Sequence, residues 1–308
     1  MSPGESVVWK VHREVVLLAG WGRAILLQLA HPLVARGVAE HSGFRSESWG
    51  RVRRLERTLG AMLTLTFGTP EEIARVAARI NHIHDGIHGR LGAPHGPFAA
   101  DTRYSAHDPA LLAWVHGTLL DSFLLTYERF VAPLTAEERD RYCAESAGVE
   151  DLLGMPTGSV PRSVAELRVY MDDMLAGGSV VVTGTARELA RDVVWPPAPW
   201  PVKPLLAVTR LATVGLLPPA IRAGYGYEWD ARRERTLRCL TALVRGGLPL
   251  VPPPLRHWPA ARRALARERG LRRLAAAPTL GSACGAPSPN QISRPARSGG
   301  RRGVWPST

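Results

Sequence analysis

The chain has 308 residues, 45% of them apolar, and a net charge of +12. A chain of this length hides roughly three quarters of its unfolded surface, and the composition suits a soluble globular protein and excludes a fibrous or wholly disordered one. The charge is not a nucleic-acid signature, because residues 256–308 alone hold eleven arginines against one glutamate, a net +10 that leaves the rest of the chain near +2, and no recognition motif accompanies it.

Taken in chain order, the first twenty residues interleave charges through their only apolar run and offer no cleavage site, so no export signal is expected. Helices are predicted at about 6–19 and 22–41; the second is apolar, but Arg23, His31, Arg36 and Glu40 interrupt it, which argues against a membrane span. Further helices are predicted at about 50–67 and 70–90, the latter opened by Thr69, Pro70 and Glu72 as N-cap, first-turn proline and capping-box glutamate. Asp108-Pro109 opens one at 109–131. Thr135 with Glu138, Ser163 with Glu166, and Thr185 with Glu188 open three more at about 136–147, 163–175 and 185–193. Three helices at about 204–216, 229–246 and 259–274 complete the set. Only "SVVVTG", 179–184, reads as a strand, and no repeat is present. The fold class is therefore all-α, a single multi-helix domain over residues 1–275, followed by a disordered Gly/Pro/Ser/Arg tail at 276–308. The basic helix at 259–274 is expected as a solvated surface helix, with weak contact to an anionic membrane surface as its other reading. Cys143, Cys239 and Cys284 are far apart and odd in number, which favours a reducing, cytoplasmic location over a disulfide framework.

Eight of the ten histidines fall between residues 31 and 116. His116 stands apart from the rest. It shares a helical face with Leu112, Leu119, Leu120, Phe123 and Tyr127, so its imidazole points into an apolar interior. An imidazole buried there needs either a hydrogen-bond partner or a metal. In "ARINHIHDGIHGRL", a continuous helix puts His84 and His88 on one face and His82 on another. Such a pair suits a divalent metal, but the His-Glu-x-x-His, Glu-x-x-His and Cys-x-x-Cys-His patterns are all missing. Two readings stay open on these residues: a non-haem metal site built from His84, His88 and His116 with Asp85, and a noncovalently held haem. His31 precedes Pro32, which removes a backbone donor and kinks the helix. His41 reads as a helix C-terminus, where a cation meets the negative end of the dipole.

The stretches "GRAILLQLAHPLVARGVAEHSGF", "WGRVRRLERTL", "RINHIHDGIHG", "YSAHDPALLAWVHGTLLDSFLLTYERFV" and "YGYEWDARRERTLRCL" resemble the catalytic-domain family of MpaB and the rubber oxygenases (latex clearing proteins), over about residues 8–275. That resemblance implies an α-helical domain around noncovalent haem b, whose iron acts with dioxygen on the double bond of an apolar, isoprenoid substrate to give two carbonyl products. It makes His116 the candidate proximal iron ligand. It places the distal side on residues 79–84, with Arg79 to stabilise bound oxygen or a propionate and His84 as distal ligand or acid–base group. It has Arg23 and His31 line or brace the pocket. The rubber branch has a distal lysine, whereas Lys10 and Lys203 are the only lysines here and lie outside the matching segment. Binding of haem or a lipid without turnover, as in a carrier or sensor, is the alternative from another class.

Overall fold

A computed structural model describes residues 5–41, 48–196 and 200–276. It is helical almost throughout. The helices are α1 (Val7–His12), α2 (Leu18–Leu29), α3 (Pro32–His41), α4 (Ser48–Phe67), α5 (Pro70–Asp85), α6 (Pro109–Phe130), α7 (Ala136–Ser146), α8 (Val149–Leu153), α9 (Val164–Ala176), α10 (Gly184–Val194), α11 (Lys203–Gly215), α12 (Pro219–Gly224), α13 (Ala231–Gly247), α14 (Pro253–Arg256) and α15 (Pro259–Ala276). A two-stranded antiparallel ladder, β1 (His88–Arg90) on β2 (Arg103–Ser105), sits between α5 and α6. The chain divides at Arg269 into two units, and the first carries everything below. The expected tail lies outside the described residues, apart from Ala276.

The capping residues act where the sequence puts them with one exception, α10, which is capped by Thr183 accepting from Ala186 N, so that the expected cap Thr185 lies inside the first turn. The Thr69 and Thr135 side chains accept from the Glu72 and Glu138 amides, and each glutamate reaches back to its cap, satisfying amides that the first helical turn leaves without partners. Asp108 caps α6 by accepting from Ala110 N at 2.9 Å. This helix is the centre of the fold. Its predicted apolar stripe is buried through Leu112, Leu120, Phe123 and Tyr127, but so is the opposite side, through Leu111, Trp114, Thr118, Ser122 and Thr126. Length and hydropathy alone would let α6 cross a membrane, yet 67% of its apolar window is inside the protein.

Helix α2 lies against α6 and α11. A Cβ at Gly20 would stand 2.3 Å from Thr126 Oγ1, and one at Gly22 the same distance from Thr213 Oγ1, so the close approach requires glycine at both. Arg23 fastens this contact. Its guanidinium donates to Leu216 O and Ser122 Oγ, both at 2.7 Å, and pairs with Asp121 at 2.6 Å.

Several expected helices break up. The segment 6–19 is α1, a short 3-10 turn at Val15–Leu17 and the start of α2. Between them Glu14, fully buried, receives a two-pronged hydrogen bond from Arg256 at 2.8 and 2.9 Å, which ties the start of the chain to its last helices. The helix expected at 22–41 is two helices bent by 103°, because Pro32 cannot donate to the preceding turn and instead starts α3. The helix expected to 90 stops at Asp85, where Gly86 caps it and the chain turns into β1. "SVVVTG" finds no partner strand among the described residues, and its Thr183 caps α10.

Candidate functional site

A cavity of about 980 Å³ opens between α1, α3, α4, α5, α6 and α8, within the range of small-molecule sites. Its walls are mainly aliphatic, among them Val34, Leu65, Ile80, Leu119 and Leu152. Three histidines from three helices reach it: His12 of α1, His84 of α5 and His116 of α6. Among the described lining residues there is no lysine or arginine.

His116 comes from the middle of the central helix, held by the Asp108 cap and the packing on either side. It lies deep in the protein yet keeps some accessible surface, which therefore faces the cavity and not bulk water. Its Nε2 is buried and has no hydrogen-bond partner. Burial pushes its pKa down to about 4, against a smaller upward pull from Glu150, so the ring is neutral with a free lone pair at pH 7. A buried nitrogen without a partner is costly unless a ligand or metal meets it.

His84 stands at the end of α5. Its Nδ1 is also buried without a partner, and burial, then the neighbouring His107, lowers its pKa. The His107 ring lies edge-on to it at 5.7 Å and pairs with Asp85 at 2.9 Å. His12 faces the same cavity fully satisfied: Nδ1 meets Thr66 Oγ1 at 3.0 Å and Nε2 meets the Tyr142 hydroxyl at 2.9 Å. Burial, and then His116, pushes its pKa down to about 4.

The other expected site residues lie elsewhere. Arg79 is exposed on α5 and does not line the cavity, since five residues of helix turn it about 140° away from His84. Arg23 is buried in the α2–α6 contact. His31 is buried against Phe98, its rings 5.2 Å apart and its Nδ1 without a partner, also outside the lining. His88 is exposed on β1, so it does not share a helix face with His84, and among the described residues no group of three or more His, Cys, Asp or Glu side chains is placed to hold a metal ion. The non-haem site of His84, His88, His116 and Asp85 is therefore not assembled. His12, which sequence reasoning passed over, carried a usable signal: Val8, Trp9 and His12 share one face of α1, and all three line the cavity.

The family described as the catalytic domain of ER-bound oxygenase mpaB/B' and rubber oxygenase matches residues 9–246. The chain belongs to this family. Neither a curated protein nor a solved structure matches it. Membership in the mpaB/rubber-oxygenase family makes the matched domain an oxygenase catalytic domain, whose reactants are a small molecule and dioxygen. The match runs from within α1 to the last turn of α13, so His12, His84 and His116 all fall inside it.

Proposed function

We propose that the protein is a haem b-dependent oxygenase that cleaves a carbon–carbon double bond of an apolar, isoprenoid-like substrate with dioxygen. The observation that carries this reading is His116, a deep neutral imidazole that meets a large apolar cavity and leaves Nε2 unpartnered. A noncovalent haem asks the protein for a single axial nitrogen, and this residue fits. The described lining holds no cation for the propionates, so the fit rests on the imidazole and the apolar walls. When bound, the haem iron supplies the binding and activation of dioxygen.

The protein's own part is to bind, orient and exclude water. His116 would hold the iron, and its depressed pKa keeps the lone pair available at neutral pH. The aliphatic walls bury a hydrocarbon chain beside it. His84 would take or give a proton at the edge of the cavity, steadied by the His107–Asp85 pair. Arg23 and His31 would act by holding α2 and α3 in place and not by touching the guest. Both oxygen atoms end in the two carbonyl products, so the reaction is balanced without an outside electron donor.

The test is the absorption spectrum of the purified protein, expressed with haem precursor, beside its His116→Ala variant. The expected result is a Soret band that the variant loses or shifts. No band after haem reconstitution would overturn the haem reading. A band without oxygen consumption on unsaturated isoprenoids would favour a carrier or sensor of haem or lipid.

A further inference from the structure

We propose that the Thr66 hydroxyl, held by His12 and Tyr142, is the cavity's hydrogen-bond donor to an acceptor oxygen, such as a carbonyl, on its otherwise apolar guest. The inference rests on the preceding reading only in taking this cavity as the binding site.

The argument starts from the number of hydrogens available. His12 is neutral at pH 7, so its ring carries one N–H. Tyr142 is fully buried, and burial keeps its phenol protonated. Thr66 Oγ1 spends its single hydrogen on Met62 O at 3.0 Å. It can therefore meet His12 only as an acceptor, which puts the His12 proton on Nδ1. Nε2 is then the acceptor of the Tyr142 O–H. The reversed chain would leave the Tyr142 hydrogen buried without an acceptor, a costly state. All three donors are satisfied in one direction only: Tyr142 to His12, His12 to Thr66, Thr66 to Met62.

The last link is the one that can turn. Met62 O is the helical acceptor for the Thr66 amide within α4, so it keeps a partner when the hydroxyl swings away. Thr66 itself lines the cavity. Other hydroxyls on the lining are committed differently. Ser6 donates to Glu145 at 2.8 Å, and Tyr104 donates to Glu40. Ser146 bonds back to Tyr142 O much as Thr66 does to Met62 O, but no side-chain donor feeds it among the described residues. A hydroxyl that accepts from an N–H is the stronger donor, because linked hydrogen bonds polarise one another. Ser105, also on the lining, accepts from the His107 amide at 3.2 Å but from no side chain. Among the described residues, Thr66 is thus the wall's one hydroxyl that has a releasable hydrogen and is fed by a relay of side chains, Tyr142 through His12.

The experiment compares two guests of one shape, 2-nonanone and 2-methyl-1-nonene, by anaerobic titration calorimetry on the full-length protein. Wild type is expected to prefer the ketone by roughly three- to tenfold, the size of one net hydrogen bond. Thr66→Val should abolish that preference with the alkene affinity unchanged, and Thr66→Ser should keep it. Nitrogen NMR of the histidine-labelled chain should find His12 as the Nδ1–H tautomer, not titrating down to about pH 5. Equal affinities in wild type, a preference that survives Thr66→Val, or an Nε2–H tautomer would each overturn the proposal. The wild-type readings need no variant to fold. A protein that takes up no haem on reconstitution and still prefers the ketone would remove the haem reading and leave this inference standing.

Discussion

At the residue scale, His116 and His12 are two answers to one problem, how to bury an imidazole beside a cavity. His12 resolves it internally through Thr66 and Tyr142, while His116 leaves Nε2 without any partner. His84 lies between these cases, with one buried nitrogen free and the His107–Asp85 pair nearby. If it moves the proton, His84→Gln should lower turnover of an unsaturated isoprenoid by about 10²–10⁴, the range for a lost acid–base group. The Soret band should stay unchanged, as checked by oxygen uptake and absorption on the same sample. A normal rate would remove His84 from the chemistry. His116 was legible because a capped helix of 22 residues gives its 3.6-residue period room to show. The signal of His12 was fainter, because α1 has only six residues and its face merges in sequence with the turn that follows. Arg79 came only from the family resemblance, and the helix turns it to solvent.

At the element scale, most caps were readable and most breaks were not. Thr69, Asp108, Thr135 and Ser163 each accept the amide that the sequence pattern assigns them. The kink at Pro32 was legible from the proline, but not its 103° extent, and the stop at Asp85 depends on what the chain packs against next, which a local pattern does not encode. The α2–α6 contact shows how little room that packing leaves. Gly20→Ala should destabilise the protein by about 1–3 kcal/mol, since its methyl would meet Thr126 Oγ1 and the Ser122 carbonyl. Pairing it with Thr126→Ala should recover part of the loss in denaturant unfolding. A neutral Gly20→Ala would mean that the helices separate easily.

At the scale of the whole molecule, three neutral histidines set an acid limit. Burial holds His12, His31 and His116 each at about 4, below the unfolded value of about 6.5. Between those values the unfolded chain binds more protons than the folded one, so stability is present above pH 6.5 and falls as the pH drops towards 4. Each site contributes up to about 1.4 kcal/mol per pH unit in that window. The urea midpoint should therefore drop steeply from pH 6.5 to 4.5; a level midpoint would contradict the burial of these rings. The Glu14–Arg256 clasp has a consequence in time. Its partners are 242 positions apart, so during synthesis the carboxylate beside His12 waits for nearly the whole chain to emerge from the ribosome. A chain cut short of Arg256 should leave the ribosome with every residue of the cavity wall, Ser6 to Leu153, but with a buried carboxylate that has lost its two-pronged partner.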